Sequence, residues 1–337
     1  MNLKQLHDYF KDSSGVVTDS RELTQDSFFI SLKGENFDGN QFAKMALESG
    51  AKYALVDRPE IAKENNRLIL VNDTTQTLQE LAQYHRKSLK AKIIAITGSN
   101  GKTTTKELIK SVLSQKFKTQ ATKGNFNNHI GVPLTLLNFD ENTDIGIVEM
   151  GANHQKEIDF LCQLAQPEIG LITNFGEAHL EGFGGLEGVI KGKCELYEYL
   201  SETKGIIILN TDDLIQKKWQ FYSPHFTFGE NTEAECHLEY LKRKSLPLTI
   251  RTEGKNIKSQ LYGEYNYTNL GMAIALGKFF GLTFEQIKLG ISCYKPNNNR
   301  SQIIQRGSNT IILDAYNANP TSMRASINSF ENNRKKR

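Results

Sequence analysis

Lys92-Ile-Ile-Ala-Ile-Thr-Gly-Ser-Asn-Gly-Lys-Thr-Thr-Thr105 is the stretch from which the fold can be read. Its first six residues, Lys92–Thr97, are a short apolar run rich in isoleucine, the pattern of a strand buried on both faces. A glycine-bearing turn follows at once. Beyond it Leu108, Ile109, Val112, Leu113 and Phe117 recur at helical spacing. Glycines let the backbone turn tightly and aim several N–H groups at one anion, and the helix N-terminus adds the positive end of its dipole. Lys102 then reaches the terminal phosphates of a nucleotide, and the Thr103 hydroxyl a Mg²⁺ ion. The strict phosphate-loop pattern has a glycine where this chain has Ile96, so the loop is a shortened GxxGKT form. An ordinary glycine-rich turn is the plainer alternative; the flanking strand, the helix and the GKTT run favour the phosphate loop.

On either side the pattern divides into three sections. Before it, Ser27–Leu32, Tyr53–Asp57 and Arg67–Val71 read as strands and Gln41–Ser49 as a helix, a small α/β unit. After it, Asp144–Glu149, Glu168–Asn174 and Gly205–Asn210 read as further strands separated by helix or loop. Such alternation predicts a mainly parallel sheet covered on both faces. Near Pro296-Asn-Asn-Asn-Arg300 the pattern breaks in a linker-like cluster, and strands around Ser301–Gln305 and Thr310–Asp314 open a third section.

Ligands of a parallel sheet gather at the carboxyl ends of its strands. Glu149 ends one apolar strand there: either a polar strand end or a hard-oxygen ligand for Mg²⁺. His179 falls in the loop after the next strand, as a solvated loop histidine or as a ligand. The following helix carries the apolar stripe Leu186, Val189, Ile190, Leu196, Tyr197 and Leu200, and Lys193 falls in the middle of it, whereas Lys191 reads as surface. A buried lysine is costly unless paired or neutralised. Lys193 therefore either snorkels to water or is held inside for chemistry.

Composition sets the outer bounds. The chain has 337 residues, and roughly 100–200 residues per domain gives two or three domains. With 38% hydrophobic and 23% charged residues it is neither collagen-like nor disordered, and no apolar run approaches the roughly 18 residues of a bilayer span. Met1–Phe10 mixes Lys4, His7 and Asp8 among its apolar residues and is no signal peptide. Cys162, Cys194, Cys236 and Cys293 form no CxxC pair, which fits a reducing cytosol. The net charge of +3 comes from the last seven residues, with four basic side chains and one acidic; the other 330 balance at 37 of each sign. A basic stripe for nucleic acid is not expected, and the tail reads as a solvated end.

Together these segments resemble the Mur ligase family of bacterial cell-wall synthesis, over nearly the whole chain. Thr18-Asp-Ser-Arg21 and Phe28-Phe-Ile-Ser-Leu-Lys-Gly-Glu-Asn-Phe-Asp-Gly39 look like its UDP-substrate domain. Thr97–Thr104 matches its TGxNGKT loop. Lys123-Gly-Asn-Phe-Asn-Asn-His-Ile-Gly-Val-Pro133 is similar to its muramoyl-facing loop. Val148-Glu-Met-Gly-Ala152, Asn174–Gly184 and Asp314-Ala-Tyr-Asn-Ala-Asn-Pro320 point to the branch that adds a dipeptide. The resemblance implies an α/β fold: a UDP-substrate domain over 1–90, a phosphate-loop ATP-binding domain with a mainly parallel sheet over 91–297, and the start of a Rossmann-like ligase domain over 298–337. It implies ATP-dependent joining of D-alanyl-D-alanine to UDP-N-acetylmuramoyl-tripeptide through an acyl phosphate, by a monomer in the cytoplasm.

Residue roles follow from the same likeness. Lys102, Lys193 and His179 are implied as catalytic, and Thr103, Glu149, His179 and a carbamylated Lys193 as Mg²⁺ ligands. Gly98, Ser99, Asn100, Gly101, Lys102, Thr103, Thr104, Asn266, Asn269, Arg300 and Asp314 are implied to face ATP. Ser20, Arg21, Lys33, Asp38, Gly39, Asn125, Asn127 and Asn128 are implied to face the UDP substrate. Three positions depart from the pattern without breaking it: Tyr265 and Asn40 stand where histidine is usual, and Ala315 where a polar residue is. A complete C-terminal domain needs on the order of 100 residues, whereas 37 follow Arg300, so the chain is expected to be truncated there and to turn over poorly alone. Two other readings remain: a ligase adding the third amino acid, or a folylpolyglutamate synthase-like relative, in one class, and a non-catalytic fragment binding UDP-muramyl-peptide or nucleotide in another.

Overall fold

In the computed structural model, which describes residues 2–63, 65–241, 248–297 and 299–333, the run Lys92–Thr97 is a strand whose residues Ile93–Ile96 are fully buried. Residues 334–337 of the basic tail and Asn298 of the linker-like cluster lie outside the described residues. Contacts divide the chain into two compact units. One is Met1–Lys90 with Phe126–Asn142 and Gln163–Gln166; the other is Ala91–Asn125 with Thr143–Cys162 and Pro167–Arg337.

The second unit holds a seven-stranded sheet in the order Cys236–His237, His225–Gly229, Ile206–Asn210, Ile169–Ile172, Lys92–Thr97, Ile145–Glu149 and Thr119–Ala121. Every pair in it is parallel. From Lys92–Thr97 the chain builds first to one side, through Thr119–Ala121 and Ile145–Glu149, and then crosses to Ile169–Ile172 on the other. That reversal makes the carboxyl end of Lys92–Thr97 the crevice where open α/β sheets bind ligands.

On one face Leu108, Ile109 and Val112 of helix Lys102–Leu113 join Leu270 and Ile274 of helix Asn266–Phe279 in a single core with Ile94, Ile96 and Ile147. On the other, helix Leu186–Thr203 lays Leu196 and Leu200 against Gly170, and the Tyr197 hydroxyl accepts from Ile172 N at 3.2 Å. Two sequence expectations shift by a turn. Helix Lys102–Leu113 ends before Phe117, which packs on the core from the closing turn. Leu186 opens its helix directly after Gly185 (φ 106°) and is 46% exposed, so the buried stripe begins at Val189.

The first unit has a four-stranded parallel sheet, Val16–Val17, Phe28–Ile30, Tyr53–Val56 and Leu68–Leu70. Phe29, Ala54 and Val56 pack there against Ala43, Ala46 and Leu47 of helix Ala43–Glu48. Helices Leu3–Lys11 and Thr74–Ser88 belong to the same unit. In the second unit, Glu239–Tyr240, Thr249–Thr252 and Lys255–Lys258 form a small antiparallel sheet. Gln302–Arg306 and Asn309–Leu313 form an antiparallel hairpin, followed by helix Pro320–Asn333. Among the described residues no helix is long and apolar enough to cross a membrane.

Candidate active site

The loop after Lys92–Thr97 is fixed by its neighbours before any ligand is considered. Gly98 has φ 136°, and a Cβ there would collide with the Thr173 hydroxyl; Gly101 has φ 80° and opens the helix. Both conformations favour glycine. Asn100 N donates to Asn174 Oδ1 at 3.0 Å, Thr173 Oγ1 donates to Asn100 O at 2.6 Å, and Ser99 Oγ donates to Gly176 O at 2.9 Å. The loop thus rests on the end of the neighbouring strand. Lys102 Nζ donates to Gly98 O (2.7 Å) and Ser99 O (3.2 Å). Burial pulls the Lys102 pKa below the ordinary lysine value; Glu149 opposes the shift and Arg300 adds to it.

Strand Ile145–Glu149 delivers Glu149, 2% exposed, beside this loop, and Thr103 Oγ1 donates to Glu149 Oε1 at 3.3 Å. The same carboxylate lies 3.9 Å, through Oε2, from Lys106 Nζ. Lys106 is fully buried, donates to Thr122 O at 2.6 Å and pairs with Glu107 at 3.1 Å. Sequence reading passed over Lys106, although the stripe test applied to Lys193 marks it, three residues before Ile109 and seven before Leu113. Lys193 is 2% exposed, donates to Ala152 O at 3.2 Å and stands 4.9 Å from the Phe183 ring centroid. Its pKa falls to about 7, first through burial and then through Lys102, with Glu157 and Glu195 opposing. His179 has a left-handed backbone (φ 55°). It is exposed as a residue, yet its pKa is lowered, by partial burial first and then by Lys102 and Lys193, which puts its ring in their field.

Among the described residues no group of three or more His, Cys, Asp or Glu could hold a metal ion. The Thr103 hydroxyl and the Glu149 carboxylate are nonetheless a hard-oxygen pair beside a phosphate loop. That donor set fits Mg²⁺, which keeps several waters and takes other ligands from substrate phosphates.

Residues far along the chain complete this end of the sheet. Asn319 Nδ2 donates to Asn100 Oδ1 at 2.7 Å, a contact no spacing in the sequence announces. The Arg300 guanidinium lies 3.9 Å over the Tyr316 ring, and its Nε has no partner among the described residues. Asn269 accepts from Thr105 Oγ1 (3.1 Å) and donates to Asn266 Oδ1 (2.8 Å). Asp314 accepts from the Tyr265 hydroxyl at 3.0 Å.

In the first unit, Lys33 pairs with Asp57 (2.7 Å) and Asp38 with Arg58 (2.6 Å). The Asn40 amide joins Asp38 and Asp57 at 2.8 and 2.9 Å, and Gly39 N donates to Leu32 O at 2.8 Å. Lys33, Asp38 and Gly39 are therefore gathered, together with Asn40, Asp57 and Arg58, of which the sequence named only Asn40, and that as a departure. Ser20 and Arg21 stand in another turn, Ser20–Glu22, where Asp19 holds the Arg21 guanidinium. Asn128 Oδ1 accepts from Ile130 N and Gly131 N (3.1 and 2.9 Å) where the helix Gly131–Leu137 begins, with half-buried Asn127 just before it; exposed Asn125 belongs to the second unit.

Two family descriptions match: "Mur ligase middle domain" over 96–277 and "Mur ligase family, catalytic domain" over 12–86. The UDP-N-acetylmuramoyl-tripeptide--D-alanyl-D-alanine ligase of Bacillus subtilis is 40% identical over 317 residues, covering 93% of this chain and 69% of the relative. The chain belongs to the Mur ligase family. The Escherichia coli ligase of the same name is 38% identical over 322 residues, covering 93% of this chain and 70% of its own length. The crystal structure of MurF from Acinetobacter baumannii superposes with a TM-score of 0.83 at 32% identity, covering 98% of this chain and 76% of that one. The MurF ligase from Thermotoga maritima, solved in complex with ADP, superposes at 0.82 with 26% identity, over 96% of this chain and 76% of that one. In this Mur ligase the middle-domain match spans the phosphate loop, Glu149, His179, Lys193, Asn266 and Asn269; Arg300 and Asp314 lie beyond it.

Proposed function

We infer that this chain is the ATP-dependent, amide-bond-forming ligase that joins D-alanyl-D-alanine to UDP-N-acetylmuramoyl-tripeptide in peptidoglycan precursor synthesis. The observation that carries the reading is the agreement, over 93% of the chain, with two curated ligases of that name at 40% and 38% identity. The substrate carboxylate attacks the γ-phosphate of ATP, breaking the β,γ-anhydride, to give an acyl phosphate and ADP. The dipeptide amine then displaces phosphate through a tetrahedral intermediate. Positioning and charge neutralisation supply most of the catalysis in such a transfer.

Residues 1–90 take the UDP substrate, with Ser20, Arg21, Lys33, Asp38 and Gly39, helped by Asn125, Asn127 and Asn128. Residues 91–297 take ATP: the loop Gly98–Thr104 wraps the phosphates, Lys102 neutralises them, and Asn266 and Asn269 face the nucleotide. Arg300 adds a phosphate contact and Asp314 receives the ribose. Thr103, Glu149, His179 and a carbamylated Lys193 would hold Mg²⁺, which when bound neutralises charge on the transferring phosphoryl group. Lys193 suits carbamylation because an amine with a pKa of about 7 is substantially neutral at neutral pH and free to add CO₂, releasing one proton. The same reading makes the protein a cytoplasmic monomer, in keeping with its four free cysteines. Phosphate release with ATP, the UDP-tripeptide and either the dipeptide or a single amino acid tests the assignment. Release that depends on the dipeptide supports it, and release driven by a single amino acid overturns it.

A further inference from the structure

One run of hydrogen bonds crosses the ATP end of the second unit with a single direction. Asn266 Nδ2 donates to Tyr262 O at 2.6 Å, and a carbonyl only accepts, so the Asn266 amide cannot be turned over. Its Oδ1 therefore accepts from Asn269 Nδ2 (2.8 Å), and Asn269 Oδ1 accepts from Thr105 Oγ1 (3.1 Å). Asn266 Nδ2 also donates to Ser301 Oγ at 3.1 Å. Ser301 Oγ and Tyr265 Oη lie 2.7 Å apart, and Tyr265 Oη lies 3.0 Å from Asp314 Oδ2. The tyrosine has one proton and the carboxylate none, so Tyr265 donates to Asp314 and Ser301 donates to Tyr265. Thr105, Asn269, Asn266 and Ser301 are each at most 4% exposed. The run thus leads from the phosphate-loop helix to a carboxylate just past the hairpin, and each donor polarises the next.

We propose that Tyr265 is a positioning residue for the nucleotide. With Ser301 N 3.4 Å from Asp314 Oδ1, it holds the Asp314 carboxylate in one orientation, tied through buried groups to the phosphate-loop helix, so that the remaining lone pairs face the ribose hydroxyls of a nucleoside triphosphate. The proposal rests on the reading of Asp314 as the ribose acceptor. Tyr265 touches no reacting atom and acts through Asp314.

Binding titrations of ATP, 2′-deoxyATP and 3′-deoxyATP to the unaltered chain and to Tyr265→Phe, Ser301→Ala and Asp314→Asn test it. The unaltered chain prefers ATP to at least one deoxy analogue, and Asp314→Asn abolishes that preference. Tyr265→Phe lowers the preference by roughly fivefold to tenfold, within the worth of one ordinary hydrogen bond, while affinity for the deoxy analogue itself stays within about twofold. If Asp314→Asn removes the preference and Tyr265→Phe keeps it, the inference about Tyr265 fails alone. If Asp314→Asn keeps the preference, the ribose reading fails and takes the inference with it. Equal loss of ATP and both analogues in Tyr265→Phe shows a merely structural tyrosine and also overturns it. Should Tyr265→Phe not fold, Ser301→Ala cuts the run one link earlier and is read by the same ratio.

Discussion

A lysine ammonium is costly to bury unless something takes its charge, and two lysines among the described residues, Lys106 and Lys193, are buried in different ways. Lys106 has a carbonyl at 2.6 Å and carboxylates at 3.1 and 3.9 Å. Lys193 has a carbonyl at 3.2 Å and a ring face at 4.9 Å, and its pKa drops to about 7. The second environment suits an amine that is to be converted, so ¹³C-bicarbonate should give a carbamate resonance that Lys193→Ala lacks. Short carboxylates should restore part of that variant's activity, and a variant retaining the resonance contradicts the assignment. Lys102→Ala should weaken ATP binding at least about tenfold, the worth of a charge-assisted contact; unchanged affinity by titration would remove Lys102 from the phosphate site. Side chains that break a period were readable from the sequence: Lys193 stands out because its neighbours at steps of three and four are apolar. Tyr265 was not readable, because its partners Ser301 and Asp314 lie 36 and 49 residues away and no pattern joins them. Asn40 likewise shows its role only once Asp57, 17 residues on, is beside it.

Between helices Leu3–Lys11 and Thr74–Ser88 a pair of imidazoles carries a pH dependence of its own. His85 Nε2 meets Phe139 O at 2.8 Å, so it carries the proton, and His85 Nδ1 accepts from His7 Nε2 at 3.0 Å. Burial is the first cause of a lowered pKa in both rings; His85 and Lys11 lower His7 further, Asp8 opposes, and the Phe139 carbonyl opposes at His85. The unfolded histidines take up protons below about pH 6.5, while the folded pair resists until lower pH. The stability they contribute is therefore complete above that value and is lost as pH falls toward the folded pKa values. Thermal unfolding followed from about pH 7.5 to about pH 5 should show a falling midpoint, less steep in His7→Gln, and a flat profile would contradict it. The sequence located most parallel strands within one or two residues, because buried strands are short apolar runs bounded by turns. It missed the antiparallel sheet containing Thr249–Thr252 and Lys255–Lys258, whose strands carry arginine and lysine and lack such a run.

The seven-stranded sheet should also be unequal in its resistance to opening. Ile93–Ile96 are fully buried and paired on both sides, whereas Thr119–Ala121 is a half-buried edge strand. Amide hydrogen exchange should therefore be slowest in Lys92–Thr97 and much faster in Thr119–Ala121; the reverse order would contradict the topology. The likeness to known Mur ligases runs along 93% of the chain, and the strand, turn and helix around Gly98–Thr104 were readable because they are contiguous. The topology that surrounds them was not, since a crossover leaves no local mark. That crossover also bears on how the protein is made. Lys92–Thr97 takes its two sheet partners from strands beginning at Ile145 and Ile169. A ribosome working at ~5–20 residues per second needs roughly 3–15 s to supply them. Through that interval an unpaired, isoleucine-rich strand is out in the open, and it is the part of the nascent chain on which a holding chaperone would have most to gain.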